Sequence, residues 1–233
     1  MSDPVMRSSV HRLHADLGAR FVRDGPWEVP ADYGDPSSES RALAGTVGVC
    51  DVTARGKVDL RGDIAPLLPR VVRASEGVER GWTTPLEPAP SEDRPGVLAR
   101  IGDDWALLSC RPTGLEAALA KLEEPAGGGT VMVTDVSSHY AVFGLSGPRT
   151  FDLLRRLTGF DIGTLAPGAC ASTRAMEVGA ILVNRDAPGA SPVIEVWVGS
   201  ELGRYAWETI AAEGAPMGIA PVGRAALERL GWW

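Results

Sequence analysis

Cysteine is scarce in this chain of 233 residues, and the scarcity excludes two classes of protein at once. Cys50, Cys110 and Cys170 are odd in number and widely spaced, so neither a disulfide framework nor a CxxC metal site is available. No apolar run reaches the roughly 18 residues that cross a bilayer. The opening "MSDPVMRSSVHRLHADLG" also lacks the apolar stretch of a signal peptide, and a cytoplasmic protein is expected. Charge is never clustered: 23 basic and 30 acidic residues give a net charge of −7 with no block of five like charges. Neither a nucleic-acid backbone nor an anionic membrane is an expected partner. GxGxxG, P-loop, HExxH and nucleophile-elbow patterns are all missing, which removes the usual support for dinucleotide, nucleoside-triphosphate, zinc-protease and α/β-hydrolase readings. What remains is 44% apolar, enough for one large domain or two small intertwined ones.

Periodicity and turn chemistry predict an α+β chain with largely antiparallel sheets. The first forty-five residues read as two short helices around an irregular stretch, where Gly25, Pro26, Pro30 and Gly34 forbid a continuous helix. Residues 47–60 alternate on either side of Gly56, as in a hairpin or a turn between two strands. The proline-rich segment 82–96 can be neither a central strand nor a helix. Strands are expected at 97–101 and 105–109 around a Gly-Asp-Asp turn, then a helix capped by Thr113 with Glu116 three residues on, then a strand in "TVMVT".

In "DVSSHYAVFGLSGPRTFDLLRRLTG" the strand "YAVFGL" passes to a helix with Ser146 as cap, Pro148 in the first turn and Phe151, Leu154 and Leu157 at helical spacing. Strands at 180–184 and 193–198 follow. A helix from Ser200, with Leu202, Tyr205, Ala206 and Ile210 inward, completes the plan.

Few residues single themselves out for chemistry. His11 and His14, spaced i, i+3 in a helix, have metal-ligand geometry, but that spacing more often marks a solvated face, and no metal is expected. Cys50 and Cys170 lie in apolar strands and read as inert core. Glu92 and Asp93 in the proline-rich loop have general acid or base chemistry, against the plainer reading of a solvated acidic loop. Glu195, inside "VIEVWV", shares a face with Val193 and Trp197. If that face is enclosed, the carboxylate needs a donor array such as a pterin ring offers; an exposed or salt-bridged glutamate is the structural alternative.

Several segments, in order, resemble the glycine-cleavage T-protein superfamily of aminomethyltransferases, the folate-binding half of sarcosine oxidase and dimethylglycine dehydrogenase, and the gamma subunit of heterotetrameric sarcosine oxidase. They are residues 18–35, "VGVCDVTARGKVDLRG" (47–62), the strand-to-helix unit above, "APGACASTRAMEVGAILVNR" and "APMGIAPVGRAALERL".

The resemblance implies two intertwined subdomains, 1–46 with 135–233 and 47–134, around a central hole that binds tetrahydrofolate, without the family's C-terminal β-barrel. It places the pterin-binding glutamate on Glu195, with Trp82 and Trp27 or Tyr33 stacking nearby. The family's catalytic aspartate falls on Pro95 and its pocket aromatic on Pro188, which leaves Asp93 or Glu92 to supply the acid. Its asparagine falls on Arg111. Its late arginine falls on Leu227, flanked by Arg224 and Arg229, either of which suits an anionic folate tail.

The expected activity is one-carbon transfer, aminomethyl or methyl, between small molecules, with altered catalytic residues. Two alternatives stand beside it: a non-catalytic gamma-type subunit of a sarcosine-oxidase-like flavoenzyme, and a repurposed enzyme using a non-folate substrate. Trp232 and Trp233 suggest a protein partner or a homo-oligomer.

Overall fold

A computed structural model describes residues 4–72, 78–86, 96–123, 130–185 and 191–229. The chain opens with α1 (His11–Asp16), the strands β1 (Arg20–Asp24) and β2 (Trp27–Asp32), and α2 (Pro36–Gly45), whose N-cap Asp35 accepts from the Ser37 amide. The stretch expected to be irregular is therefore a β-hairpin. Gly25 takes the left-handed turn position (φ 55°), and Pro30 is tolerated because the two-stranded ribbon shifts register beside it, between Arg20 and Phe21.

β3 (Gly48–Asp51) and β4 (Gly56–Gly62) follow, then α3 (Leu68–Val71), β5 (Thr83–Pro85), β6 (Val97–Arg100), β7 (Trp105–Cys110) and α4 (Leu115–Glu123). β3 and β4 do not pair, contrary to the hairpin expected there. The chain crosses from one sheet to another between them. β6 and β7 form the expected hairpin, and proline-bearing β5 lies at a sheet edge, where a missing N–H is cheap. The capping box at Thr113 does not form: a 3-10 turn over Pro112–Gly114, with Arg111 at its N-cap, leads into α4 instead.

The remaining elements are β8 (Val131–Asp135), β9 (Tyr140–Ser146), α5 (Thr150–Leu157), β10 (Cys170–Ala175), β11 (Val178–Arg185), β12 (Val193–Gly199), α6 (Gly203–Gly214), β13 (Ala220–Pro221) and α7 (Arg224–Arg229). Ser146 ends β9 rather than capping α5, whose N-cap is Arg149. α6 begins after a 3-10 turn at Ser200–Leu202, which rotates its buried face onto Ala206, Trp207 and Ile210 and leaves Tyr205 exposed.

Two main sheets result, ordered β10-β11-β12-β9-β3-β13 and β5-β6-β7-β4-β8, antiparallel except where β13 runs parallel to β3. The fold class is thus mixed and mainly antiparallel, with no closed barrel among the described residues. The expected division at 47 differs from the strand pairing, since β3 joins the six-stranded sheet while Asp135 pairs with Val58 in the five-stranded one.

The sheets are joined at two seams. At one, residues 52–55 and 136–139 cross side by side; at the other, the Thr83 amide donates to Gly168 O and the Cys170 amide to Gly81 O. One face of the six-stranded sheet packs Phe143, Leu145, Leu182, Ile194 and Val196 under α5 and α6. The other contributes Val142, Ile181, Val183, Val193 and Trp197 to a cluster shared with Ala99, Ile101 and Leu107 of the second sheet.

Candidate functional site

Glu195 sits in the middle of the shared face. Alternation along β12 turns Val193, Glu195 and Trp197 toward the second sheet, and the carboxylate is fully buried there. Its cross-strand neighbour on β9 is Gly144, which brings no side chain to the space beside it. Oε2 accepts a 3.0 Å hydrogen bond from Trp197 Nε1. Oε1 has guanidinium nitrogens of Arg55 and Arg185 at 3.7 and 3.6 Å, yet accepts no hydrogen bond, and the Arg185 nitrogen donates none. Burial pushes Arg185 down to about 10, against the opposing pull of Glu195.

Buried polar atoms are almost always partnered, so a bare acceptor beside a bare donor is an unusual arrangement. It is complementary to a ligand edge with N–H next to C=O, as in the lactam of a pterin ring. The residues present therefore fit such a group at the carboxylate. Both arginines were overlooked in the sequence. Arg55 lies beside Gly56 in the stretch expected to form a hairpin or turn, and Arg185 reaches Glu195 only through pairing of β11 with β12, where Arg185 lies opposite Val193.

The other anticipated residues are scattered around this pair. Trp82 is 43% exposed and lies at the seam, bridged to Ala169 with its ring against Gly168. Trp27 is core, packed in the shared cluster. Tyr33 is committed to His14: its hydroxyl lies 2.8 Å from Nδ1, and burial pushes its ionisation up. Arg111 carries a buried Nε without a hydrogen bond, just beyond the Gly56–Cys110 pair. Arg224 meets Asp24 at 3.6 Å and Glu228 at 2.7 Å, and Arg229 is exposed at the end of α7. Glu92, Asp93, Pro95, Pro188, Trp232 and Trp233 lie outside the described residues.

The two histidines turn to different carboxylates. No group of three or more metal-ligating side chains occurs among the described residues, and His14 is buried rather than solvated, 2.9 Å from Asp51 Oδ2 through Nε2. His11 instead meets Glu28 at 2.8 Å and stacks on Phe21. Burial pushes the Cys50 thiol well up and that of Cys170 to about 12, as inert core residues require.

Comparison with known proteins agrees with this architecture. The model of the GCVT N-terminal domain matches residues 10–231. The chain belongs to that family. It is 24% identical over 230 residues to the aminomethyltransferase of Bacillus pumilus, covering 96% of this chain and 63% of that one. To the aminomethyltransferase of Geobacillus kaustophilus it is 28% identical over 240 residues, with 96% and 63% covered. The chain thus spans about three fifths of the length of these relatives.

Among solved structures, the glycine cleavage system aminomethyltransferase T of Bartonella henselae superposes with a TM-score of 0.81 at 17% identity, covering 97% of this chain and 62% of that one. A chain of the heterotetrameric sarcosine oxidase of Corynebacterium sp. U-96 gives 0.63 at 15% identity, covering 93% and 98%. The T-protein fold and the kinship expected from the sequence are both present.

Proposed function

We propose that this chain is a tetrahydrofolate-binding, one-carbon transferase-like protein of the aminomethyltransferase type, with altered catalytic residues. The observation that carries the reading is Glu195, fully buried on the shared face with one oxygen left without a donor. Glu195 would accept from the ring's N–H groups, and Arg185 would donate to its carbonyl. Trp82 at the seam offers an exposed indole for stacking, and Arg111 a cation for the acidic tail. When bound, tetrahydrofolate supplies N5 and N10 as the atoms that carry a one-carbon unit. Orientation beside Glu195 and Arg185 would supply much of the rate, with Asp93 or Glu92 as the proposed proton-transfer group. A cytoplasmic setting belongs to the same proposal, since all three thiols are free and buried.

The test is a titration with tetrahydrofolate, read by tryptophan fluorescence. Trp197, bonded to Glu195, is the reporter. Wild type should bind saturably, and Glu195→Gln should raise Kd about ten- to a hundredfold, the loss expected for hydrogen bonds to a charged group. An unresponsive wild type removes the folate reading.

A second reading is favoured by one finding: the similar sarcosine oxidase chain is covered over 98% of its length. On that reading the chain is a non-catalytic subunit of a flavoenzyme complex. It would form a stoichiometric complex with a purified sarcosine-oxidase-type flavoprotein while failing to bind tetrahydrofolate.

A further inference from the structure

The chain carries twenty-one arginines and only two lysines, Lys57 and Lys121. Lys57 is fully buried. Its Nζ donates to Thr53 O at 2.7 Å and to Arg55 O and Ser137 O at 2.8 Å each. Those three carbonyls belong to the two crossings between the sheets. Lys57 also receives support from the second crossing, since its amide donates to Ser137 Oγ, and the Ser137 hydroxyl donates to Asp135.

The residue type follows from the geometry. An ammonium is a compact centre with three donors, matched here to three acceptors, whereas a guanidinium is a planar fork suited to carboxylates. An arginine-rich chain has placed a lysine where only a lysine can satisfy the backbone. The crossing it holds also delivers Arg55 to Glu195: the Arg55 carbonyl is bonded to Lys57, its amide to Val52 O, and its side chain lies 3.7 Å from Glu195 Oε1.

We infer that Lys57 is a positioning residue whose bound proton pins the inter-sheet crossing and, through Arg55, sets the placement of Glu195 in the candidate site. Losing the proton leaves two N–H donors for three buried carbonyls, so one carbonyl is abandoned and the crossing can shift. Four charged groups act on Lys57. Asp51 on β3, Glu195 on β12 and Asp135 on β8 favour the ammonium, and Arg55 on the crossing opposes it. Burial outweighs these and brings the group down to about 7, so the device works around neutrality.

The test uses the full chain labelled with 13C at lysine Cε, which gives two signals to follow. The Lys57 signal, identified by its absence from Lys57→Met, should titrate near neutral pH. The indole N–H resonance of Trp197, assigned by loss in Trp197→Phe, should move with the Lys57 midpoint. Lys57→Met should abolish that movement, and Lys57→Arg should not restore it. Should Lys57→Met not fold, the wild-type titration decides alone.

A Lys57 that stays charged through pH 9, or one that titrates without moving Trp197, overturns the inference. The ligand arm rests on the proposed folate reading, and on that reading Kd for tetrahydrofolate should rise about tenfold between pH 6 and pH 8. Coupled lysine and indole signals with no folate binding support the positioning role and sink only the folate reading.

Discussion

Asp51 and Glu195 are two buried carboxylates on the two strands that flank β9, one residue apart in register: Asp51 lies opposite Phe143, Glu195 opposite Gly144. Alternation therefore sends them to opposite faces of the same sheet. On the helix-covered face, both oxygens of Asp51 are bonded, Oδ2 to His14 and Oδ1 to the Thr53 amide, and His14 is in turn partnered by Tyr33. His14 bridges the two, its Nε2 lying 2.9 Å from Asp51 Oδ2 and its Nδ1 2.8 Å from the Tyr33 hydroxyl, which burial keeps protonated. On the face toward the second sheet, Glu195 holds two cations nearby but keeps one oxygen bare. Equal burial has opposite meanings here. A closed set of hydrogen bonds specifies the fold, and an open one leaves a vacancy in bonding that a ligand can fill.

The largest expected effect breaks the closed set. His14→Ala removes the partner of a buried carboxylate and the edge-on ring contact with Trp207, and should cost about 3 kcal/mol in urea unfolding. Its pH dependence has a definite sign. Burial, the largest single influence, raises Asp51, but the bond and charge of His14 together with bonds from Ser8 and Thr53 outweigh it and hold the acid below its ordinary value. That depression stabilises the fold above the ordinary carboxylate range and is lost as pH falls through the folded-state value. Without His14 the burial effect prevails, so acid unfolding of the variant should begin at higher pH than in wild type. Unchanged stability and an unchanged acid limb would show that the two carboxylates do not differ as argued.

Glu195→Gln is the matching change on the open face. It should be felt first in ligand affinity, about 1.4–2.7 kcal/mol for a ten- to hundredfold loss. Its cost to stability should be smaller than that of His14→Ala, because no hydrogen bond to Oε1 is lost and the glutamine oxygen still accepts from Trp197. A Glu195→Gln protein destabilised as much as His14→Ala, with no change in any ligand response, would make both carboxylates structural.

Much of this contrast was legible in the sequence, but only where it is local. The strand character of "VIEVWV" and the shared face of Glu195 and Trp197 follow from a period of two, and the 97–101 and 105–109 hairpin from its turn residues. The closure around Asp51 was not legible, because it joins residues from α1, the bend after β2, and β3 through the fold. His14 looked like a surface residue for the same reason. The β1–β2 hairpin was hidden by Pro26 and Pro30, which break regular elements yet fit a turn and an irregular ribbon. Tyr205 was displaced from the inward face expected for α6, and Trp207 brought onto it, by three residues of 3-10 turn, enough to rotate the helix register.

The smallest prediction calibrates the comparison at a site in neither network. The turn between β10 and β11 places Met176 and Glu177 at φ 52° and 60°, where side chains other than glycine are disfavoured. Met176 is anchored by its amide to Leu157 O and by its carbonyl to the Tyr205 hydroxyl. The Glu177 side chain has a 3.4 Å approach to Arg174 at an exposed surface, and such pairs contribute little, while its carbonyl accepts from Arg174 at 2.8 Å, a backbone bond that glycine would keep. Glu177→Gly should therefore stabilise the protein by about 0.5–1 kcal/mol in the same urea experiment, relief of the left-handed strain outweighing the greater freedom of the unfolded glycine. Combined with His14→Ala or Glu195→Gln, it should add without interaction and leave the acid limb and the ligand response of each unchanged. Any coupling beyond about 0.5 kcal/mol would mean that the turn reports on one of the buried carboxylates, and that the two faces of the sheet are not energetically separate.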